Sequence, residues 1–154
     1  MLDLTSIDRT ILQMMQTTKK SRLEDIAFQA GASVATVQRR IRHLKANGVI
    51  QSETVLVDPE AVGLNMTFLI LVELERERLD KLDEFRRKIL AESQIQQCYY
   101  ITGDADFALV ALAKDMKEYQ QLIQRLFFDD TNVKRFRTSV VMDRTKVSLN
   151  VPVS

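Results

Sequence analysis

One cysteine, Cys98, and one histidine, His43, stand in a chain of 154 residues. Cys98 has no partner for an internal disulfide, and neither residue has the neighbours that a zinc site needs. A reducing, cytoplasmic setting without a bound metal or other cofactor is expected. The four glycines fall at predicted turns, none of them in a phosphate-cradling loop, and no metalloprotease helix occurs. Cys98 has no histidine close in sequence to serve as its base, so it is expected as a buried strand residue and not as a nucleophile. No apolar run approaches the ~20 residues of a membrane helix. The opening MLDLTSIDRT lacks the basic start and apolar core of a secretion signal. Enzyme and membrane classes are therefore disfavoured.

The net charge of +1 conceals an uneven distribution. Residues 1–52 hold eight Lys/Arg and four acids, for +4, and the remaining residues sum to −3. A basic head on a mildly acidic body points to a head that meets a polyanion.

Three short helices are predicted in that head. Thr5 and Asp8 have the spacing of a capping box, followed by Ile7, Ile11, Leu12 and Met15 on one stripe. A second helix runs from about Arg22 to Ala30, with Leu23, Ile26 and Ala27 inward, and Gly31 placed to stop it. Ser33 then caps a third, SVATVQRRIRHLKANG, ended by Asn47-Gly48. A helix, a tight glycine turn and a second amphipathic helix make a helix-turn-helix. At about 100° per residue, Val34, Val37, Ile41 and Leu44 of the third helix share an arc of about 80° that must face the core. Ala35, Thr36, Arg39 and His43 lie opposite, with Arg40 and Arg42 on the flanks. This helix carries four Lys/Arg and no acid. Small residues at its start, Ser33 and Ala35, permit close approach to a DNA groove. Arginine can meet guanine, and Thr36 a phosphate or base edge. A basic helix that only faces water fits the same pattern. The β-prone runs Val49–Ser52 and Thr54–Val57 suggest a short wing, and Asp58-Pro59 breaks the chain. The predicted domains are residues 1–52 and 65–154, with a linker at 53–64.

The remainder alternates regularly. Strands are predicted over Asn65–Glu75, Ile95–Thr102, Phe107–Ala113 and Val133–Met142, and helices over Asp80–Ala91 and Asp115–Phe128. The order βαββαβ is that of a ferredoxin-like sandwich, which makes the whole chain α+β. Both helices cover one sheet face, and the other is left for a second subunit.

The turn in ITGDADFALV carries two acids beside a glycine. As a calcium loop it fails, because Ala108, Val110 and Leu112 supply no side-chain oxygen and Leu109 occupies the glycine position. A tight hairpin turn remains, with or without a ligand.

LDLTSIDRTIL, GASVATVQRRIRHLKANGVI, VLVDPEAVGL, YITGDADFALV and TSVVM, in this order, resemble the leucine-responsive regulatory protein/AsnC (feast–famine) family of transcription regulators. The resemblance implies a winged helix-turn-helix reader of double-stranded DNA joined to an amino-acid-sensing domain. It also implies homodimers that assemble further, as far as octamers, with the effector held between dimers. Two departures stand out. TTKKSR is basic where the family usually has a glycine-bearing acidic or amide turn, and Ala105 stands where an aromatic residue is frequent. The DNA-contacting residues implied are Ser33, Ala35, Thr36, Arg39, Arg40, Arg42 and His43. The effector site implied comprises Tyr100, Thr102, Gly103, Asp104, Ala105, Asp106, Thr138 and Val140, and leucine or methionine is the favoured effector. Gly103 would expose N–H groups to an α-carboxylate, while Asp104 or Asp106 accepts from an α-ammonium. The aspartates could equally serve only the hairpin, through Asx-type bonds. Two other functions compete with effector-responsive regulation. One is an architectural DNA-wrapping protein with little sequence preference and no effector. The other is a metabolic enzyme or allosteric subunit built on the ferredoxin-like half.

Overall fold

A computed structural model describes residues 3–17, 22–76 and 78–153. The chain divides into two compact units: Met1–Val55 together with Lys146–Ser154, and Leu56–Thr145. The predicted domain division differs from this at the end of the chain. Residues from Lys146 onward belong with the head, because Gln16 fastens them there. Its Oε1 accepts from the Val151 N–H at 2.8 Å, its Nε2 donates to the Val151 carbonyl, and Asn150 Nδ2 donates to its backbone carbonyl at 3.1 Å.

The head is a three-helix unit of α1 (Ser6–Thr17), α2 (Leu23–Ala30) and α3 (Val34–Ala46). The predicted capping box is present. Thr5 N–H donates to Asp8 Oδ2 at 2.8 Å, and Asp8 N–H donates back to Thr5 Oγ1 at 3.3 Å. Gly31 ends α2 at φ 61°, in the left-handed region that glycine reaches without a Cβ penalty. Ile11, Ile26, Ala27, Val37 and Leu44 form the buried centre, and Val34 and Ile41 pack against it. Of the basic connection TTKKSR, residues 18–21 lie outside the described residues. The expected wing strands at Val49–Ser52 and Thr54–Val57 are absent. This backbone forms no ladder, and Val55, Leu56 and Val57 are exposed, because no neighbouring strand within the chain pairs with them.

The second unit has the predicted element order. It comprises β1 (Met66–Leu74), α4 (Leu79–Leu90), β2 (Ile95–Tyr100), β3 (Phe107–Ala113), α5 (Met116–Ile123), a π-helical turn (Gln124–Phe128) and β4 (Val133–Val140). The four strands form one antiparallel sheet in the order β2-β3-β1-β4. Alternation along β1 settles which face is which. Phe68, Ile70, Val72 and Leu74 are buried with Phe85, Leu122 and Phe127 beneath the helices. Leu69, 48 % exposed, and Leu71 lie on the other face with Ala108, Val110, Arg137 and Ser139. Phe68 and Ile70, either of which could from sequence have lain on the open face, therefore both belong to the core.

Cys98 also departs from expectation. It is exposed, because β2 is an edge strand whose outer side meets no further strand. Among the described residues, no helix is long and apolar enough to cross a membrane.

Candidate DNA-reading helix and effector turn

The head presents α3 with its polar face outward. Ser33 caps it, its Oγ accepting from the Thr36 N–H at 3.1 Å, and the two hydroxyls lie 3.0 Å apart. Ala35, Arg39, Arg42 and His43 are exposed and Thr36 is half-buried, so these five residues occupy the surface that the helical spacing predicts. Among the described residues, neither Arg39 nor Arg42 has an ion pair or side-chain hydrogen bond, which leaves both guanidinium groups available to a ligand.

Arg40 is placed differently from the phosphate contact expected of it. Its Nε donates to Asp8 Oδ1 at 2.7 Å and its Nη2 to Asp8 Oδ2 at 2.5 Å, a two-bond fork across α1 and α3. Asp8 is wholly buried while the Arg40 side chain is 25 % exposed. The Arg40 hydrogen bond is the chief cause that holds the Asp8 carboxyl down at about 2, against the opposing effect of burial. Thr5 adds two further bonds to the same carboxylate. One acid thus closes the capping box and clamps α3 onto α1. Sequence spacing showed only the capping box, because Arg40 lies 32 positions away.

In the second unit the turn between β2 and β3 has four distinct members. Gly103 has φ 119°, a conformation that side chains rarely adopt, and a Cβ added there would meet nothing within 4 Å. A valine at this position would therefore act through backbone strain and not by filling space. Asp104 is exposed, without a side-chain partner among the described residues. Ala105 is buried. Asp106 is committed to the scaffold. Its Oδ2 accepts from the Leu74 N–H at 2.6 Å, its N–H donates to the Val72 carbonyl at 2.9 Å, and its carbonyl accepts from the Ile101 N–H at 2.8 Å. Thr102 is exposed beside the turn.

Tyr100 closes β2 next to this turn, half-exposed. Its ring lies 5.2 Å from that of Phe107, with the Arg86 guanidinium 5.4 Å above it. Thr138 and Val140 are elsewhere. They lie on β4, opposite Ile70 and Phe68, on the helix-covered side. Two inter-strand steps separate β4 from β3, about 10 Å. The Thr138 hydroxyl is hydrogen-bonded to that of Tyr119, whose ring stacks on Phe68 at 3.9 Å. A single chain does not bring Thr138 and Val140 to Gly103. The turn is exposed at Thr102, Gly103 and Asp104, and a cleft of about 550 Å³ lies in the head between Met15, Ile26 and Ile41. Among the described residues, no three His, Cys, Asp or Glu side chains gather as a metal would require.

Residues 4–51 match the family described as winged helix-turn-helix DNA-binding, and residues 67–151 match the Lrp/AsnC ligand binding domain. An HTH-type transcriptional regulator of Sinorhizobium fredii is 39 % identical, over 99 % of this chain and 90 % of its own length. The leucine-responsive regulatory protein of Escherichia coli is 29 % identical, over 95 % of this chain and 89 % of its own. The chain is also similar in fold to a transcriptional regulator of Neisseria meningitidis solved as its L-methionine complex. That structure has a TM-score of 0.89 at 23 % identity, and 97 % of each chain is covered. A feast or famine regulatory protein of M. tuberculosis complexed with L-methionine has a TM-score of 0.86 at 24 % identity, covering 99 % of this chain and all of its own. The chain belongs to the Lrp/AsnC family of transcriptional regulators, with a helix-turn-helix DNA-binding domain and a Lrp/AsnC ligand-binding domain.

Proposed function

We propose that the protein reads a specific DNA sequence through α3 and that an amino acid, leucine or methionine by preference, modulates this through the turn at Gly103–Asp104. The observation that carries the DNA half is that, among the described residues, Arg39 and Arg42 have no ion pair or side-chain hydrogen bond, on an exposed helix face that bears no acid of its own and has small residues at its N-terminal end. Arg39, in line with Thr36 and His43, is the base-reading residue, and Arg42 on the flank is a phosphate contact. The exposed Asp104 carboxylate, without a side-chain partner among the described residues, and the positive-φ Gly103 support the effector half. An ammonium and a carboxylate on one α-carbon suit that pair of features better than a metal does. Two relatives in fold bind L-methionine, which supports a thioether or aliphatic side chain beside the small Ala105.

The protein acts as a homodimer or larger assembly, through the sheet face that carries Leu69 and Leu71. A ligand at the open turn then gains its remaining walls from another copy, and this is the route by which Thr138 or Val140 could reach it. The test has two arms. A thermal-shift screen of the twenty amino acids should raise the melting temperature for one or a few. Footprinting over a wide salt range should show a preferred site that persists as non-specific binding fades. Uniform protection that vanishes with salt would instead indicate DNA wrapping without sequence preference.

A further inference from the structure

The two aspartates of the turn are chemically alike but differently engaged, and the difference assigns them separate tasks. β3 pairs with β1 from Met66↔Ala113 as far as Val72↔Phe107, and beyond Phe107 the chain leaves the sheet. Asp106 continues the ladder in its place. Its main-chain N–H goes to the Val72 carbonyl at 2.9 Å, and its carboxylate receives the Leu74 N–H at 2.6 Å, where the next strand residue would have offered a carbonyl. On the other side of β1, the pairing with β4 shifts register between Glu73 and Leu74. Leu74 thus sits at an irregularity on one side and depends on the Asp106 side chain on the other. The Asp106 carbonyl is also taken, by the Ile101 N–H at 2.8 Å. Three segments therefore meet on one residue: the end of β1, the exit from β2 and the entry to β3. Ala105 beside it is buried, so the turn is anchored from this end, and Gly103 and Asp104 project from the anchor.

We infer that Asp106 is a positioning residue that fixes the effector turn by standing in for a β-ladder carbonyl, while Asp104 alone meets the ligand's ammonium. This rests on the effector reading above, and it divides a role that two neighbouring carboxylates could share. An amide oxygen can accept the Leu74 N–H as a carboxylate can, but it carries no charge for an ammonium. Asparagine at each position therefore separates the two roles.

The experiment uses full-length protein and compares Asp106→Asn, Asp106→Ala and Asp104→Asn with the wild type. Two quantities are read: the affinity for L-methionine and L-leucine by calorimetry, and hydrogen exchange at the Leu74 amide by NMR. Asp106→Asn should keep both within about threefold, as rescue by a neutral acceptor requires. Asp106→Ala should speed Leu74 exchange and weaken binding about ten- to a hundredfold, the range for a lost charge-assisted bond. Asp104→Asn should weaken binding similarly and leave Leu74 exchange unchanged. If Asp106→Asn loses binding while Leu74 stays protected, Asp106 touches the ligand and the inference is overturned. Unchanged Leu74 exchange in Asp106→Ala overturns it too. If the wild type binds no amino acid, the effector reading fails. The anchoring role is then judged on Leu74 exchange and on the chemical shift of the Gly103 amide, which should move in Asp106→Ala and not in Asp106→Asn.

Discussion

Helix α3 of the head and the turn of the second unit hold their charged residues in different ways. Each presents charged groups without a side-chain partner among the described residues beside one that is tied down: Arg39 and Arg42 beside Arg40 in the head, and Asp104 beside Asp106 in the turn. In the head the tie is a charge pair between two helices, with a wholly buried acid as its partner. In the turn the tie is a carboxylate on a backbone N–H. The head's tie therefore responds to pH and to loss of either partner, whereas the other needs only an oxygen in the right place. A charged residue on a surface that meets a ligand is thus not a contact by default. The residue it faces inside its own chain decides.

The largest expected effect comes from cutting the head's tie. Asp8→Ala removes the capping box and leaves the Arg40 guanidinium without its partner, and the lost cap and charge-assisted bonds together should cost about 2–3 kcal/mol. Chemical denaturation followed by helical signal should show the head melting early while the sheet's transition stays in place. An equal shift of both transitions would mean that the tie is not local to the head.

Next in size is assembly. Leu69→Asp puts a charge on the open sheet face and should convert the protein to monomers in sedimentation at micromolar concentration, with secondary structure retained. Phe68→Asp, one residue earlier but within the core, should instead prevent folding. If Leu69→Asp assembles as the wild type does, another surface holds the copies together.

Acid sharpens the comparison through Asp8. Its carboxyl is held at about 2, below the ordinary 3.8, chiefly by the Arg40 hydrogen bond. A depressed carboxyl contributes stability in full above its unfolded value and loses it as pH falls through the folded one. The contribution of Asp8 to head stability should therefore be complete at neutral pH and be lost between pH ~4 and ~2, amounting to about 2 kcal/mol. Asp8→Asn should remove that slope.

The smallest effects separate the arginines. Arg39→Ala should cost about 1–3 kcal/mol on the preferred site and relax selectivity at one position of each half-site. Arg42→Ala should weaken all sequences alike and reduce the salt slope by about one. Arg40→Ala should act mainly on the head's melting. If it leaves melting unchanged and alters only DNA affinity, the fork to Asp8 is not what Arg40 is for.

Much of this was legible in the residues. The glycine stop at Gly31, the Ser33 cap and the apolar arc of α3 are local signals, and each appears where its spacing predicted. So do the four strands, because a period of two along Met66–Leu74 needs no tertiary knowledge. What stayed hidden depends on distant partners. Asp8 and Arg40 are far apart in sequence, and so are Gln16 and Val151. The strands expected at Val49–Ser52 and Thr54–Val57 do not form, because β-propensity alone supplies no neighbouring strand. Within the turn, the residue types marked an acidic site, but only the register of β1 showed which acid was already engaged.

In the function proposed above, one chain couples an amino acid at the second unit to a DNA sequence read by the head. The most direct measurement is the dissociation constant of the full-length protein for a duplex selected from a random library, with and without each of the twenty amino acids. Leucine or methionine should shift it about 5- to 150-fold, and Asp104→Ala should abolish the shift while leaving ligand-free affinity unchanged. A constant that is the same under all twenty amino acids, or a library that yields no preferred duplex, would contradict it.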